Sequence, residues 1–224
     1  MKRRPEPELM DSEAQTAAYA DADFEEANSL FTEKFHEYFR DLQQSGNMAD
    51  LGCGPGDISI RMACRYPGWK VTGLDAGSNM LKLAQQRPEL EQLESRVIFR
   101  HSYLPDPSLP AASFDALISN SLLHHLPQPQ VLWESIIHLA KPGAAIQVMD
   151  LMRPNGEDEA QRLVDDYAVG APDILREDFY NSLLAAYTPR EVSEQLLAAG
   201  LDRLKIEIPS DRHWIVHGKY ESGR

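Results

Sequence analysis

Apolar positions along this chain follow two different periods, and the change from one to the other divides it. Residues 11–45 carry apolar side chains at partial helical spacing, many of them aromatic, and this pattern predicts a helical segment. From about residue 47, short apolar runs alternate with helical stretches. Alternating strands and helices predict an α/β fold, with a mostly parallel sheet covered by helices on both faces.

Seven apolar runs of strand length follow residue 47, and we expect them to be Met48–Leu51, Lys70–Leu74, Arg96–Arg100, Phe114–Ser119, Ala144–Met149, Leu204–Ile208 and His213–Tyr220. The helices expected between the first five are Ile58–Tyr66, Ser78–Gln86 and Gln130–Leu139. Residues 157–186 are also helical in pattern. A further helix has Thr188 as N-cap, Pro189 in its first turn, Glu191 completing a capping box and Gly200 as its stop. The last two strands are close enough for an antiparallel hairpin, and residues 1–10 predict a loose lead-in.

Composition narrows the classes of partner. A chain of 224 residues suits one domain, and its net charge of −13 lacks the basic surface that nucleic-acid binding needs. Cys53 and Cys64 are too few for a disulfide framework, and no His, Cys or carboxylate cluster has metal-ligand spacing. No apolar run resembles a secretion signal or a membrane span. We therefore expect a cytoplasmic protein, monomer or homodimer, with no metal, nucleic acid or membrane partner.

The chemistry is concentrated in the segment Asp50-Leu-Gly-Cys-Gly-Pro-Gly-Asp57, which joins the first strand to a helix. Its glycines let the chain turn sharply and let a ligand approach the backbone and the helix N–H groups. Asp75 ends the second strand, 19 residues after Gly56, where a carboxylate accepts hydrogen bonds from ribose hydroxyls. A glycine turn alone is sometimes only a tight connection. Here the glycines follow a strand and are followed by a helix, a second strand and an Asp, and this order favours a nucleotide-type site.

The glycine loop also limits which nucleotide is bound. Its spacing is G-x-G-x-G and not the G-x-G-x-x-G of dinucleotide sites, which argues against a nicotinamide-dependent oxidoreductase. The loop contains no Lys or Arg for a phosphate, and the triphosphate-binding motif is absent from the sequence. These features favour a cofactor with an adenosine and no phosphate, and S-adenosylmethionine fits.

Four motifs resemble the class I S-adenosylmethionine-dependent methyltransferases, in the small-molecule branch of the ubiquinone/menaquinone-type enzymes. They are the D-L-G-C-G-P-G segment, Val71–Asp75 with Ser78–Leu81, Ser113–Leu126 and Leu139–Asp150. The resemblance covers nearly half of the chain directly. It implies a Rossmann-like sheet of seven strands with an antiparallel C-terminal hairpin, S-adenosyl-L-methionine as cofactor, and a small-molecule methyl acceptor.

The resemblance also assigns residues to the cofactor. The set it implies is Tyr19, Asp50, Gly52, Cys53, Gly54, Gly56, Asp75, Ala76, Met80, Ser102, Tyr103, Asn120 and Ser121. The family often has an Asp after the third strand that binds the adenine amine, and here that place reads His101-Ser102-Tyr103. Either Ser102 substitutes through its hydroxyl, or Tyr103 supplies a flat contact, or the alignment slips by one residue.

The acceptor side is less defined. His124 and His125 follow the fourth strand and are either acid–base candidates, with His124 preferred, or structural residues. Asp150 ends the fifth strand and either contacts the substrate or pairs locally with Arg153. Tyr19, Tyr167, Phe179 and Tyr180 are either core residues or pocket walls, and His36, His138, His213 and His217 are expected to be surface or helix residues.

The domain prediction follows from these patterns. Residues 1–45 would form an N-terminal helical cap, and residues 46–224 the methyltransferase domain, with a helical insert or lid at about 152–187. The function predicted is methyl transfer to a small molecule, with His124 and Asp150 as catalytic candidates. The alternative is a non-catalytic S-adenosylmethionine-binding regulatory or partner module.

Overall fold

Seven strands form one sheet in the part of the chain that the computed structural model describes, which is residues 1–6, 12–20, 22, 24–93 and 95–221. The order is β3-β2-β1-β4-β5-β7-β6, and β1 to β5 pair in parallel. β7 is antiparallel to both β5 and β6. The bounds are β1 Gly46–Leu51, β2 Trp69–Asp75, β3 Val97–His101, β4 Phe114–Asn120, β5 Ala140–Leu151, β6 Lys205–Glu207 and β7 His213–Lys219. The Rossmann-like sheet and the closing antiparallel hairpin are confirmed.

Helices connect the strands and cover both faces of the sheet. Their bounds are α1 Glu13–Ala20, α2 Glu25–Tyr38, α3 Asp57–Arg65, α4 Ser78–Gln85, α5 Gln130–Leu139, α6 Glu157–Tyr167, α7 Asp173–Ala185 and α8 Pro189–Ala198. Two short 3₁₀ turns occupy Pro88–Gln92 and Leu123–His125. None of the described helices is both long and apolar enough to cross a lipid bilayer.

Two apolar cores lie on opposite faces of the sheet, as a sheet covered on both sides requires. One packs Trp133 of α5 and Val192 of α8 against the strands, and the other packs Phe31 and Phe35 of α2 with Met62 of α3. The capping box of α8 is present, with the Thr188 hydroxyl accepting from Glu191 N–H and the Glu191 carboxylate accepting from Thr188 N–H.

The two regions outside the sheet that are helical in pattern each contain two helices among the described residues. In residues 12–45 these are α1, which ends at Ala20, and α2, which ends at Tyr38, while residue 11 lies outside the described part. Residues 157–186 form α6 and α7, separated by a connection through Gly170 at φ +75° and Pro172. The periodicity indicates helix in both regions and does not show where one helix ends and the next begins.

The prediction of a loose lead-in is wrong for residues 1–6. The Arg3 guanidinium donates to Ala185 O and to His124 O, at 2.5 and 2.8 Å, and lies over the ring of Tyr187. Arg4 N–H donates to Leu184 O, and the Arg4 side chain pairs with Glu157. These contacts fasten the segment beside the end of α7, whereas residues 7–10 of the predicted lead-in lie outside the described residues.

Candidate active site

A cavity of about 950 Å³ opens at the carboxyl ends of the parallel strands, where α/β sheets bind their ligands. Twelve of the thirteen predicted cofactor residues line the cavity together with His124: Tyr19, Asp50, Gly52, Cys53, Gly54, Asp75, Ala76, Met80, Ser102, Tyr103, Asn120, Ser121 and His124. Gly56 and Asp150 do not line it. We call the part formed by β1 to β3 and their loops the loop end, and the part near the His124 turn the histidine end.

The loop end is organised around the carboxylate of Asp75. Its two oxygens accept from Gly54 N–H at 2.8 Å and from Gly77 N–H at 2.7 Å, so the carboxylate ties the loops after β1 and β2 together. Gly54 has a φ of +51°, and a Cβ placed on it would meet no atom within 4 Å among the described residues. The backbone there faces open space in the cavity, as close approach of a ligand requires.

Gly56 has a different task from the one predicted. Its φ is +84°, and an added Cβ would lie 2.5 Å from the Phe99 ring. Gly56 N-caps α3 and lets that helix pack closely on β3. The residue therefore supports the packing under the glycine loop and does not form part of the cavity wall. Glycine spacing in the sequence does not separate these two roles, because both need a residue without a side chain.

Asp50 lies beneath the glycine loop and is almost completely buried. Burial raises the pKa of its carboxyl to about 7, and the hydroxyl of Ser59, which donates to it at 2.6 Å, opposes that rise. Burial likewise raises the pKa of the Cys53 thiol, which disfavours a thiolate. Cys53 is therefore a wall residue and not a nucleophile.

Ser102 occupies the position where the family often has an Asp, and Asp106 lies behind it. Ser102 Oγ donates to Asp106 Oδ2 at 2.8 Å, and Ser102 N–H donates to Asp75 O at 2.8 Å. Because the hydroxyl proton is directed to Asp106, the lone pairs of Oγ remain available to accept from a ligand amine. Tyr103 also lines the cavity, with its ring edge-on to His101, so Ser102 and Tyr103 are both candidates for the adenine contact.

Asn120 and Ser121 end β4 at the centre of the cavity edge. Among the described residues, Asn120 Oδ1 is buried and has no hydrogen-bond partner. Ser121 has a φ of +57°, an uncommon backbone conformation for a residue with a side chain. An unpartnered buried acceptor and a strained backbone at one point are typical of a ligand-binding position.

The histidine end is centred on His124, whose side chain is 3% exposed. Its Nδ1 lies 2.5 Å from Asp150 Oδ1, and Asp150 Oδ2 accepts from the His124 backbone N–H at 3.2 Å. Asp150 thus orients the ring from behind, and the local pair with Arg153 that the sequence suggested is not formed. Arg153 binds Glu191 at 2.7 Å instead. Burial lowers the pKa of the His124 imidazole, the charge of Asp150 opposes burial, and the net shift is upward.

Residues from distant parts of the chain complete this end. Glu6 Oε1 lies 3.5 Å from His124 Nε2 and 3.3 Å from His125 Nδ1, and it accepts from Ser182 Oγ at 3.0 Å. Burial raises the pKa of the Glu6 carboxyl. Glu6 and Ser182 carry no signal in the sequence that points to this site, and only the fastening of residues 1–6 to α7 brings the carboxylate here.

Part of the cavity wall is aromatic and is formed by Tyr19, Phe24 and Phe179, with the rings of Tyr19 and Phe24 4.7 Å apart. Asp178 adds a further carboxylate to this wall. Burial raises the pKa of the Tyr19 phenol to about 12, so it stays neutral as part of the wall. Tyr167 lines the cavity, as does His213, whereas Tyr180 packs on the core of α6 and α7. The surface prediction is wrong for His213 and His217, which are buried on β7.

Comparisons with known proteins agree with this architecture. Residues 48–143 match the family model described as a methyltransferase domain. Residues 48–143 therefore form a methyltransferase domain, and S-adenosylmethionine is its cofactor. The chemistry of the loop end fits that cofactor independently of the match, because the Asp75 carboxylate, the open backbone of Gly54 and the buried Asn120 Oδ1, which has no hydrogen-bond partner among the described residues, lie along one cavity.

Curated relatives and solved structures place this methyltransferase among varied enzymes. It is 26% identical to an uncharacterized methyltransferase of Mycobacterium bovis, over 66% of this chain and 72% of the relative. It is 29% identical to the ubiquinone biosynthesis O-methyltransferase of Psychrobacter arcticus, over 70% of this chain and 59% of that relative. The structure of Haemonchus contortus phosphoethanolamine N-methyltransferase 2 with S-adenosyl-L-methionine is similar with a TM-score of 0.70 at 14% identity, covering 95% of this chain and 58% of that one. The last likeness shows the shared fold.

Proposed function

We propose that this methyltransferase acts on a small molecule whose accepting atom lies beside His124, and that the His124–Asp150 pair activates that atom. The observation that carries the proposal is the 2.5 Å contact that holds a cavity-lining imidazole on a buried carboxylate. The cavity, at about 950 Å³, is at the upper end of the range of small-molecule sites, which is about 300–1,000 Å³. It therefore has room for the cofactor and a small acceptor together.

The loop end is proposed to hold the cofactor. Asp75 accepts from the ribose hydroxyls, Met80 packs on the adenine, and Ser102 Oγ accepts from the adenine amine. Asn120 Oδ1 accepts from the ammonium of the methionine part, which gives this buried oxygen the partner it lacks among the described residues. S-adenosylmethionine supplies a methyl group already activated by its sulfonium, so the protein's own task is positioning.

The histidine end is proposed to hold the acceptor. Aromatic walls from Tyr19, Phe24 and Phe179 suit a molecule with an apolar body, and His124 meets a single O–H or N–H group on it. Such a group must lose its proton as the new bond forms, and a histidine oriented by a carboxylate is suited to assist. Asp150 is 1% exposed and does not line the cavity, so we assign it a positioning role and keep the catalytic role for His124.

The segments outside the strand–helix core are proposed to select the acceptor. Residues 1–45 and 152–187 contribute Tyr19, Phe24, Asp178 and Phe179 to the walls, which supports their interpretation as a cap and a lid. A substrate of the ubiquinone/menaquinone type is consistent with the aromatic walls. The name of the Psychrobacter arcticus relative, a ubiquinone biosynthesis O-methyltransferase, supports the same branch.

Two measurements test this proposal. Calorimetric titration with S-adenosylhomocysteine should show one site per chain, and a panel of phenols and amines with radiolabelled cofactor should yield at least one methylated product. In the His124→Gln variant, kcat for that acceptor should fall roughly 10²–10⁴-fold, as for loss of a group acting on a proton. Cofactor affinity should stay within about twofold, because His124 lies at the other end of the cavity.

The matched control is His36→Gln, which changes an exposed histidine of α2 and should leave both quantities unchanged. Absence of cofactor binding would end the proposal at its first step. Cofactor binding with no turnover for any acceptor would favour the regulatory module instead. A His124→Gln variant with normal kcat would remove the histidine from the chemistry.

A further inference from the structure

Three potential metal ligands converge at the histidine end. Glu6, His124 and His125 each offer one ligand atom, and the three atoms lie within 4.8 Å of one another. Glu6 Oε1 is 3.5 Å from His124 Nε2 and 3.3 Å from His125 Nδ1. The two histidines are adjacent on the 3₁₀ turn after β4, and both line the cavity, while Glu6 reaches them from the N-terminal segment.

The spacing fits one tetrahedral ion. Two ligand atoms each about 2.0–2.1 Å from a tetrahedral ion lie about 3.4 Å apart. The two measured separations are 3.5 and 3.3 Å, on either side of that value. The Glu6 carboxylate therefore stands at ligand spacing from each imidazole, and the three ligand atoms lie within 4.8 Å of one another. A separation of 3.3–3.5 Å is long for the direct hydrogen bonds that these groups would otherwise make.

The groups behind the ligands match those found behind metal ligands. A metal-binding histidine usually directs its second nitrogen to a carboxylate, and Asp150 holds His124 Nδ1 in that way, leaving Nε2 toward Glu6. Ser182 Oγ donates to Glu6 Oε1 at 3.0 Å and steadies the carboxylate. These contacts set the ring orientation and the tautomer that coordination through Nε2 requires.

The surrounding charges favour a dication over a proton alone. Glu6 and Asp150 carry carboxylates at the cluster itself, and Asp178 lies close enough to influence Glu6. The opposing cation is Arg3, which donates to His124 O and also lies over Tyr187. A bound divalent ion would compensate carboxylates that burial otherwise penalises.

We propose that Glu6, His124 and His125 bind one divalent transition-metal ion of the zinc class. Two imidazoles and one carboxylate suit Zn²⁺, Co²⁺ or Ni²⁺ and not Mg²⁺ or Ca²⁺, which prefer all-oxygen sites. Two of the three ligands, His124 and His125, line the cavity, so the fourth position of the ion is left for an external molecule, as in catalytic zinc sites.

The role of the ion rests on the proposed function and changes how His124 serves it: with the ion bound, Nε2 is a ligand, so the imidazole acts on the acceptor through the metal and does not take its proton directly. A hydroxyl oxygen of the acceptor takes the fourth position, and the positive charge lowers the pKa of that hydroxyl so that its proton leaves to water. The oxygen keeps a lone pair that is not bound to the metal. This lone pair then forms the bond to the methyl carbon while the carbon–sulfur bond breaks and that electron pair stays on sulfur. The products are the methylated acceptor and S-adenosylhomocysteine, and no oxidant or reductant is consumed.

Cobalt gives a direct readout that does not depend on turnover. The full chain, stripped with a chelator, is titrated with Co²⁺ alone and followed by its visible ligand-field absorption, and Zn²⁺ is titrated by calorimetry. We expect one ion per chain with the intense absorption of tetrahedral cobalt. The Glu6→Gln and His125→Asn variants should bind roughly 100-fold more weakly, with S-adenosylhomocysteine affinity unchanged.

The control variant is His138→Gln, which changes an exposed histidine on α5 and should bind like the wild type. The metal site is overturned if the wild type binds no ion at millimolar concentration, or if Glu6→Gln and His125→Asn bind like the control. Full activity of the stripped protein would overturn the ion's role and leave methyl transfer through His124 standing. Loss of cofactor binding would contradict the proposed function alone, since the cobalt titration contains no cofactor.

Discussion

The two ends of the cavity differ in the groups that form them, which are mainly backbone amides at the loop end and side chains at the histidine end. At the loop end, backbone amides of Gly54 and Gly77 converge on one carboxylate, and the segments involved follow one another along β1, β2 and β3. At the histidine end, side chains meet from the N-terminal segment, the turn after β4, the end of β5 and α7. A backbone-made site is set by the fold and suits a ligand that does not change. A site made by side chains can be altered residue by residue, and the choice of acceptor is expected to lie there.

The comparison is tested most strongly at Asp75. In Asp75→Ala the ribose loses its charged acceptor, and the amides of Gly54 and Gly77 lose theirs, so both loops relax. A hydrogen bond to a charged group contributes about 1.5–3 kcal/mol, so the loss of two such bonds predicts a decrease in cofactor affinity of roughly 10²-fold or more. Calorimetric titration with S-adenosylhomocysteine measures it, with the exposed Asp202→Ala as control. Near-normal affinity would mean that the ribose is held elsewhere.

The same difference explains how much of the molecule could be predicted from the sequence. The strands, the sheet class and the loop end follow from local patterns, because the glycine loop, Asp75 and the end of β4 each carry their own signal within a few residues. Even there Gly56 was given a wall position that it does not have, since a glycine needed for packing on Phe99 looks like one needed for a ligand.

The histidine end could not be predicted in the same way. No local pattern links Glu6 to His124 and His125, and the segment that carries Glu6 is polar and contains two prolines near the chain's start. Its position depends on Arg3 binding the carbonyls of His124 and Ala185, which are tertiary contacts. Ligand spacing in the sequence therefore failed to indicate the cluster, because its members come from segments that only the folded chain brings together.

A smaller effect is expected at Ser102, where the loop end departs from its family's usual Asp. Ser102→Ala removes the acceptor proposed for the adenine amine and should weaken cofactor binding about fivefold, the loss of one neutral hydrogen bond. The loss should vanish for S-inosylhomocysteine, in which a carbonyl replaces that amine. Ser113→Ala, whose hydroxyl binds Pro110 O away from the cavity, is the control. An equal loss for both nucleosides would assign Ser102 to holding Asp106 and not the base.

The smallest effect is expected at Ser121, where the two ends meet. Its φ of +57° costs a residue with a side chain about 1–2 kcal/mol, and Ser121→Gly removes that cost while losing some entropy on folding. Thermal unfolding should therefore show a net gain below about 1 kcal/mol, a rise of about 2 °C in Tm for a chain of this size. Ser121→Ala keeps the left-handed backbone and should show no such gain. If the hydroxyl contacts the bound ligands, both variants should weaken cofactor binding to a similar degree. Cofactor affinity would then depend on the Ser121 side chain, and thermal stability on its backbone conformation. A Tm gain in Ser121→Ala equal to that of Ser121→Gly would place the strain in the side chain's surroundings and not in the backbone turn that joins the two ends.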